Sequence, residues 1–275
     1  MFASALITLR EGLEAALIVG IILAYLKQID RVDLRRSVWG GVAAALLASV
    51  AVAGGVQLLS MEFEGRIEQI FEGTTMFLAV AVLTYMIFWM RYQGRYLRQT
   101  LEHRVQATVR GERGGALAGL AFFAVFREGV ETVLFLSAVG FASDRGGILL
   151  GALLGLALAV GLGWLIFSAV AKIPVQRFFE VTSLLLLVFA AGLMAHAVHE
   201  FQEAGLFPTL IAPVWDTNSI LPEESLVGSF LKVLLGYNGN PSLLEVLSYL
   251  GYWVAVLGGV QWYLRRAAPR LEVRS

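Results

Sequence analysis

Long apolar segments separated by short polar connections run along the whole chain. An α-helix needs roughly 20 residues to cross the hydrocarbon core of a bilayer, which is about 30 Å thick. Segments of about that length cover residues 2 to 26, 37 to 59, 73 to 91, 116 to 141, 147 to 171, 179 to 200 and 243 to 264. The pattern predicts an all-α integral membrane protein with seven transmembrane helices in one domain, residues 1 to 275. Residues 92 to 113 and 201 to 242 are predicted to be loops on opposite faces, the second of them external.

The composition excludes several classes of protein. With 58% hydrophobic and 15% charged residues, the chain is far more apolar than a soluble domain, in which about 25% of residues are charged. The absence of Cys excludes disulfides, iron-sulfur ligation and thiolate metal sites. Lys plus Arg and Asp plus Glu each total 21, so no net charge recruits nucleic acid, and we expect no nucleic-acid partner.

The charged residues separate by face. Lys and Arg cluster in the connections after the first, third and fifth segments and after the seventh, so the positive-inside rule places the N-terminus outside and the C-terminus in the cytoplasm. Eleven of the 21 acidic residues lie on or near the outer face. An outer mouth rich in carboxylates raises the local concentration of cations. Acids that merely follow the exclusion of Lys and Arg give the same distribution, and both interpretations stay open.

The chain contains an internal repeat. Leu-Arg-Glu-Gly-Leu-Glu at residues 9 to 14 returns 117 residues later as Phe-Arg-Glu-Gly-Val-Glu at 126 to 131. Two further matches follow in the same order: Gly41, Ala45, Ser49 and Ala53 with Gly147, Gly151, Gly155 and Ala159, then Phe71 to Thr75 with Phe179 to Ser183. The small residues of the second match predict close helix packing.

Three ordered matches predict a duplicated unit of three helices, repeat A over residues 2 to 91 and repeat B over 116 to 200. Because three is odd, the two halves run in opposite directions through the membrane. Inverted repeats are a transporter architecture, with the substrate site near the midplane. The seventh helix, residues 243 to 264, is an addition to the repeat.

The first match carries the candidate chemistry. Charges at the centre of a bilayer cost at least about 2.5 kcal/mol each, so charged residues there are expected to be functional. The motif places Arg10, Glu11 and Glu14 on one arc of about 100° near the middle of the first predicted helix. Its copy places Arg127, Glu128 and Glu131 at a similar depth in the fourth.

Four Glu against two Arg leave an excess of negative charge, so either some of the Glu are protonated or a cation completes the site. We favour a cation site over a purely structural ion-pair network. We therefore predict a metal site formed by Glu11, Glu14, Glu128 and Glu131, with supporting ion pairs from Arg10 and Arg127. Carboxylate oxygens suit Mg, Ca, Mn and iron, so the motif alone leaves the metal open.

A second group of metal ligands stands at the end of the sixth predicted helix. His196, His199 and Glu200 share one helical face, and Glu203 follows them. Imidazole and carboxylate suit iron, so the group indicates an outer metal site. Polar residues at the end of a helix are the alternative interpretation.

An acidic stripe precedes the third predicted helix. Glu64, Glu68 and Glu72 repeat every four residues, which indicates either a cation funnel or a solvated face. Glu72 and its repeat equivalent Glu180 stand in the first turns of helices, where an acid complements the helix dipole. The roles of these two residues stay open.

The paired motif resembles that of a known family. Arg-Glu-Gly-Leu-Glu and Arg-Glu-Gly-Val-Glu, in a seven-helix chain with an outside N-terminus, are similar to the motifs of the high-affinity iron permeases, the oxidase-dependent iron transporter family of fungi and bacteria. The segment His199 to Gly205 is also similar to bacterial members. The resemblance covers nearly the whole chain, and the second copy departs from the usual pattern at Val130, which stands in place of Leu.

The resemblance implies a permease of the bacterial inner membrane, not an enzyme, with Fe2+ or Fe3+ as substrate and no cofactor. It implies that the four motif Glu bind iron and that both motif Arg are required. Fungal members take ferric iron from a multicopper oxidase, and bacterial relatives work with periplasmic partners. Besides membrane lipids, we therefore expect an iron-delivery or oxidase partner on the outer face, where the loop 201 to 242 offers the largest surface.

Two other functions compete with iron transport. A proton-coupled transporter of Mn or another divalent cation would use the same carboxylates. A haem-binding membrane redox subunit would use His196 and His199 as ligands, but both lie on one predicted helix, whereas a haem usually lies between facing helices.

Overall fold

The computed structural model of the protein describes residues 1–93, 97–110, 114–142, 145–168, 175–223 and 225–267. Within these ranges the regular elements are all helical: α1 (Phe2–Gln28), α2 (Arg35–Glu62), α3 (Arg66–Gln93), α4 (Leu97–Arg110), α5 (Gly114–Ala142), α6 (Ile148–Phe167), α7 (Val175–Glu203), α8 (Leu226–Leu235) and α9 (Leu243–Ala267). The predicted all-α class is confirmed. Some of the charged residues used to orient the chain, in 94–96, 111–113, 143–144, 169–174 and 268–275, lie outside the described residues.

Five described helices, α2, α3, α6, α7 and α9, are long and apolar enough to cross a membrane. Helices α1 and α5 have comparable lengths of 27 and 29 residues, but each carries one Arg and two Glu near its middle. Large apolar side chains on the outside of the bundle are freely exposed: Leu47 is 73%, Val50 70% and Leu149 72% accessible. Such a surface is stable in hydrocarbon, so the molecule is a multi-pass membrane protein.

Helices α1 and α6 pack closely along their whole length and run parallel. Near their starts, a Cβ on Gly151 would collide with the carbonyl group of Met1, and near their ends a Cβ on Gly20 would collide with the ring of Phe167. At Gly151 only glycine permits this approach, since the obstacle is backbone and glycine carries no Cβ.

Helices α2 and α5 pack in the same way. A Cβ on Gly41 would collide with the carbonyl group of Ala118, and a Cβ on Gly129 would collide with the hydroxyl of Ser49, so these helices are also parallel. The predicted packing role of the small-residue stripes is confirmed at these positions. In contrast, α3 and α7 are antiparallel, because Gly73 in the second turn of α3 lies beside the last turns of α7.

These pairings set the direction of every helix around the site. Short connections reverse the chain between α1 and α2 and between α5 and α6. Since α1 is parallel to α6 and α2 to α5, helices α1 and α5 run in opposite directions. They pack against each other at the centre, with α6 behind α1, α2 behind α5, and the α3 and α7 pair on the other side.

Two buried apolar clusters flank the middle of α1. One cluster joins the start of α1, through Ala3 and Ile7, to α3, α5, α7 and α9. The other joins the second half of α1, from Ile18 to Leu26, to α2, α4 and α5. The charged residues of α1 lie in the interval between these clusters, so they are held in place from both sides.

Two segments predicted as loops contain helices. Residues 97–110 of the stretch 92 to 113 form α4, which buries Leu101 and Val105 against α1 and α5. These two residues are four apart and therefore share one helical face. Two apolar positions among so many charged residues were too weak a pattern to predict a helix.

The long connection 201 to 242 contains α8. Ser225 caps its first turn by accepting a 3.0 Å hydrogen bond from the backbone nitrogen of Gly228, and Gly236 ends it with a left-handed φ of 68°. A Ser at the start and a Gly past the end are the usual boundary signals of a helix, so α8 was predictable. The prediction of an unbroken loop was wrong because ten apolar-rich residues are too few to suggest a membrane span.

Polar contacts between its own residues hold the same connection together. Lys232 donates a 2.9 Å hydrogen bond to Glu223, and the backbone nitrogen of Gly239 donates a 2.8 Å bond to the same carboxylate. Burial acts to raise the pKa of Glu223, but these bonds outweigh it, and the pKa lies below its ordinary value. Gly236 also packs directly on Gly192 of α7, which anchors the end of α8 to the bundle.

Candidate metal-binding site

Arg10 is completely buried and binds both carboxylates of its own motif. Its Nη1 donates a 2.7 Å hydrogen bond to Oε1 of Glu11, and its Nη2 lies 3.1 Å from Oε1 of Glu14, one turn later on α1. The remaining contacts are soft: Met86 and Met90 of α3 place their sulfur atoms 3.5 and 3.2 Å from the guanidinium. The guanidinium of Arg10 therefore bridges the carboxylates of Glu11 and Glu14, and the sulfur atoms of Met86 and Met90 cover its other side.

Arg127, the equivalent residue in the second motif, has different surroundings. Its Nε donates a 2.8 Å hydrogen bond to Oε1 of Glu131, four residues further along α5. The side chain is 44% exposed, and its guanidinium carbon lies 5.0 Å from the ring centre of Trp89. The two copies of the motif are therefore not equivalent in burial, although both use an Arg to Glu pair one turn apart.

The packing of α1 on α5 brings three carboxylates together. Oxygen atoms of Glu11, Glu128 and Glu131 all lie within 4.8 Å of one another. Glu14, the fourth predicted ligand, is not part of this trio and stays paired with Arg10. Among the residues that the structure describes, no second set of three His, Asp or Glu side chains brings its ligand atoms so close.

The trio is short of positive charge and of hydrogen-bond donors. The side chain of Glu11 is 1% exposed, Glu128 is 5% exposed as a whole residue, and the side chain of Glu131 is 12% exposed. In the described part of the chain, Oε2 of each of these residues has no hydrogen-bond partner. Buried, unpartnered carboxylate oxygens are costly, and a cation coordinated between them removes that cost. Oxygen-only ligands suit a hard cation, and iron fits this donor set.

Glu11 and Glu128 also line a cavity of about 820 Å³. Its polar lining near the carboxylates comes from Thr8, Ser49 and Thr132, whose hydroxyls bond to the carbonyl oxygens of preceding turns. Two members of the trio, Glu11 and Glu128, are therefore reachable from the space between α1, α2, α5 and α6.

The second predicted metal site is assembled differently. Nδ1 of His199 lies 3.1 Å from Oε1 of Glu245 on α9, and Nε2 lies 3.3 Å from Oε1 of Glu203. The ring of His196 is 6.4 Å away and faces a separate small cavity beside Lys232. Both nitrogens of His199 are therefore occupied by carboxylates, and neither is directed at a shared metal position with His196.

Glu245 is the residue that the sequence did not single out. It accepts a 2.6 Å hydrogen bond from Asn238 besides its contact with His199, so it ties the long connection between α7 and α9 to α7. Its position at the start of α9, three residues after Ser242, is a helix-start pattern that suggests capping and not ligation.

The predicted acidic stripe is broken by the backbone. Gly65 has a φ of 59° and separates Glu64, which is exposed, from Glu68 and Glu72 on α3. The four-residue spacing therefore does not place all three acids on one helical face. Gln69 of α3 donates a 3.1 Å hydrogen bond to Glu203 of α7, so the acids of α3 and α7 meet at one end of the bundle.

Glu180 lies elsewhere. It is exposed near the start of α7, at the opposite end from Glu200 and Glu203, and accepts a 3.0 Å hydrogen bond from Gln176. A local bond on the surface accounts for its position.

Buried carboxylates shared between two helices that run in opposite directions inside a lipid-facing bundle define a class of protein, the multi-pass cation permeases. Within that class the chain belongs to the family described as "Iron permease FTR1 family", whose model matches residues 1–268. It is thus a multi-pass iron permease of the bacterial inner membrane, and the resemblance noted from the paired motif is confirmed.

Relatives in several bacteria align with most of the chain's length. The chain is 40% identical over 260 residues to the ferrous iron permease EfeU of Yersinia pestis, covering 94% of this chain and 92% of the relative. It is 39% identical to the ferrous iron permease EfeU of Yersinia pseudotuberculosis serotype I, covering 93% and 90%. The same protein of Escherichia coli O6:K15:H31 is 39% identical, with 94% of each chain covered. No solved structure matches the chain significantly.

Proposed function

We propose that iron crosses the membrane through the carboxylates of α1 and α5, with Glu11, Glu128 and Glu131 as its direct ligands. The observation that carries this proposal is the trio of buried carboxylates, within 4.8 Å of one another, whose Oε2 atoms have no partner among the described residues. An ion that enters gains three oxygen ligands, and an ion that leaves restores the unfavourable cluster of charges.

The fourth carboxylate and the two Arg act on this site from its edge. Glu14 neutralises the second half of the Arg10 guanidinium, so that Arg10 orients Glu11 without cancelling the charge of the trio. Arg127 orients Glu131 in the same way from the other helix. A planar guanidinium holds carboxylates in fixed directions, which suits both residues to this role.

The substrate we propose is Fe2+. The relatives in Yersinia and Escherichia are ferrous iron permeases, and they match more than nine tenths of this chain. A site of carboxylate oxygens binds Fe2+ as a hard divalent cation, with no need for a cofactor.

We infer that the molecule has seven transmembrane helices arranged as an inverted repeat. Helices α1 and α5 are then charged spans that complete the five apolar ones, and α9 is the added helix. The packing of the two halves supports this arrangement. The first helix of each half packs parallel to the second helix of the other half: α1 packs on α6, and α5 packs on α2. The antiparallel pairing of α3 with α7 follows the same symmetry.

We further infer that iron enters from the outer face, with the N-terminus outside. The acids Glu68, Glu72, Glu200 and Glu203 belong to the end of the bundle formed by the start of α3 and the end of α7, where they raise the local cation concentration. The long connection between α7 and α9 lies at this end, so it is the surface on which a periplasmic delivery or oxidase partner would dock.

Uptake of labelled iron by cells that express the chain tests the proposal. We expect uptake that a membrane-impermeant ferrous chelator abolishes and that Glu128→Gln removes, whereas Glu180→Gln, an exposed Glu outside the site, leaves it intact. Uptake that survives the ferrous chelator would make Fe3+ the substrate. Equal uptake of labelled Mn would replace the iron proposal by the divalent-cation alternative, and a haem absorption band in the purified protein would favour a redox subunit.

A further inference from the structure

The cavity that reaches Glu11 and Glu128 continues as a groove along α1. It is lined by α1 residues from Thr8 to Lys27, a distance of about 28 Å at about 1.5 Å per residue. Helices α1 and α5 form its floor, and α2 and α6 form its two walls. The walls open to the surface, because Val50 is 70%, Val160 64% and Trp164 67% exposed.

The chemistry of the groove changes along its length. At the carboxylate end it has hydroxyls, but between that end and Lys27 its lining is made of side chains such as Val19, Leu23 and Leu46. This apolar stretch is unsuited to a metal ion, which needs oxygen ligands or water along its path. The end of the groove opposite the carboxylates would also repel a cation, because it is lined by Lys27 and Arg35.

The basic end has the features of a site for an anion at the membrane boundary. Lys27 lies in the last turn of α1 and Arg35 begins α2, so both lie where the chain leaves the apolar core. Trp39, which is 56% exposed, lines the groove one turn further along α2. In the described part of the chain, the buried Nε of Arg35 has no hydrogen-bond partner.

We propose that this groove binds one anionic phospholipid. Lys27 and Arg35 hold the phosphate, Trp39 lies at the level of the headgroup, and an acyl chain lies between α2 and α6. Basic pockets between transmembrane helices that continue into apolar grooves suit this class of ligand. One leaflet supplies about 15 Å of the roughly 30 Å core, so the tail extends from Lys27 to about the level of Ala16 and ends before Glu11.

A second copy of the chain is a poorer occupant of the groove. Two copies related by twofold symmetry through this face would bring the Lys27 and Arg35 ends of both grooves to the same membrane boundary. Like charges brought together in this way oppose association, whereas a phosphate complements them.

The lipid has a consequence for transport that depends on the proposed function of the carboxylate trio. Its tail would fill the groove between Lys27 and the trio, so that water and ions could not reach Glu11 and Glu128 along the groove from its basic end. The binding of the lipid itself does not depend on iron transport, so a measurement without iron separates the two proposals.

Titration of phosphatidylglycerol onto delipidated protein, with bound lipid counted by native mass spectrometry, tests the proposal. We expect one tight site that prefers phosphatidylglycerol to zwitterionic phosphatidylcholine. Lys27→Gln and Arg35→Gln should each weaken it about fivefold, the factor that corresponds to about 1 kcal/mol per basic residue. Arg36→Gln is the matched control, because Arg36 is exposed, adjacent in sequence and not part of the groove lining. Equal binding by all three variants would overturn the proposal.

The apolar part of the groove needs its own test. Leu46→Trp fills it without changing a charge and should also abolish the tight site. Because the chain has no Cys, a single Cys at Leu46 reports on the groove without background. Labelling of Leu46→Cys by a water-soluble maleimide as fast as that of Glu64→Cys would show a water-filled path instead of a lipid. A disulfide between two copies carrying Val50→Cys would show a second chain as the occupant, and either result would overturn the proposal.

Discussion

Nη1 of Arg10 lies 2.7 Å from Oε1 of Glu11, its neighbour in the sequence, and the two side chains are 0% and 1% exposed. The same guanidinium reaches Glu14 with its other terminal nitrogen. A single positive charge is therefore divided between two carboxylates, so neither is fully neutralised. This partial neutralisation leaves Glu11 able to contribute charge to the trio with Glu128 and Glu131.

The first prediction concerns the trio. Glu11→Gln and Glu128→Gln each replace one oxygen ligand by an amide and should lower iron uptake at least about tenfold, which is equivalent to about 1.4 kcal/mol. Both variants should insert normally, because removal of a charge lowers the cost of membrane insertion. Uptake and the amount of protein in the membrane are measured together, with Glu180→Gln as the control. Parental uptake by either trio variant would show that its carboxylate is not a ligand.

The second prediction uses the difference between the two Arg. Arg10→Lys should lower uptake about tenfold or more. The ammonium group of Lys is a compact point charge, so it cannot bridge Glu11 and Glu14 as the planar guanidinium of Arg does. Arg127→Lys should change it less than about threefold, because Arg127 is 44% exposed and a Lys retains a charge beside Glu131. Initial uptake rates of the two variants at equal expression decide the matter. A symmetric loss would contradict the unequal roles.

The third prediction separates collection of cations from permeation. Replacement of both Glu64 and Glu68 by Gln should raise the apparent KM for iron while the maximal rate stays near the parental value, whereas the trio variants should lose the maximal rate. The difference should diminish with salt, because exposed charges are screened beyond about 10 Å at 0.1 M. Uptake is measured against iron concentration at two ionic strengths. A normal KM with a lost maximal rate would place these acids in the permeation step.

The fourth prediction concerns the packing behind the trio. In Gly129→Ala, the new Cβ would overlap the hydroxyl of Ser49 and lie 2.8 Å from its Cβ. We expect a loss of about 1 to 3 kcal/mol of stability, seen as a lower midpoint of thermal unfolding in detergent, and lower uptake because Glu128 is displaced.

Two further variants test that explanation. Gly119→Ala is the control on the same helix, since no described atom lies within 4 Å of its new Cβ, and it should be neutral or stabilising. Combining Gly129→Ala with Ser49→Gly removes the collision and should restore most of the lost stability. If the double variant is no better than Gly129→Ala, the contact between α2 and α5 is not the cause.

Much of the molecule was predictable because it depends on local sequence. Segments of about 20 apolar residues must be helical in a membrane, since only a helix satisfies the backbone of a single span. The stripe with Gly41 and Ser49 and the stripe with Gly151 and Gly155 were correctly predicted to pack helices. Local signals also existed for α8, at Ser225 and Gly236. They were missed because α8 is shorter than the length required of a membrane span.

The sequence by itself determined the all-α membrane class, the excess of carboxylates over Arg in the paired motif, and a hard cation as substrate, because composition and a 3.6-residue period suffice for these. Only the tertiary structure decided that Glu11, Glu128 and Glu131 meet while Glu14 stays with Arg10. It also decided that Arg10 is buried by Met86 and Met90, 76 and 80 residues away, whereas Arg127 lies half exposed against Trp89. The period of a helix fixes which residues share a face, but the neighbours of that face come from distant segments whose packing no local pattern encodes.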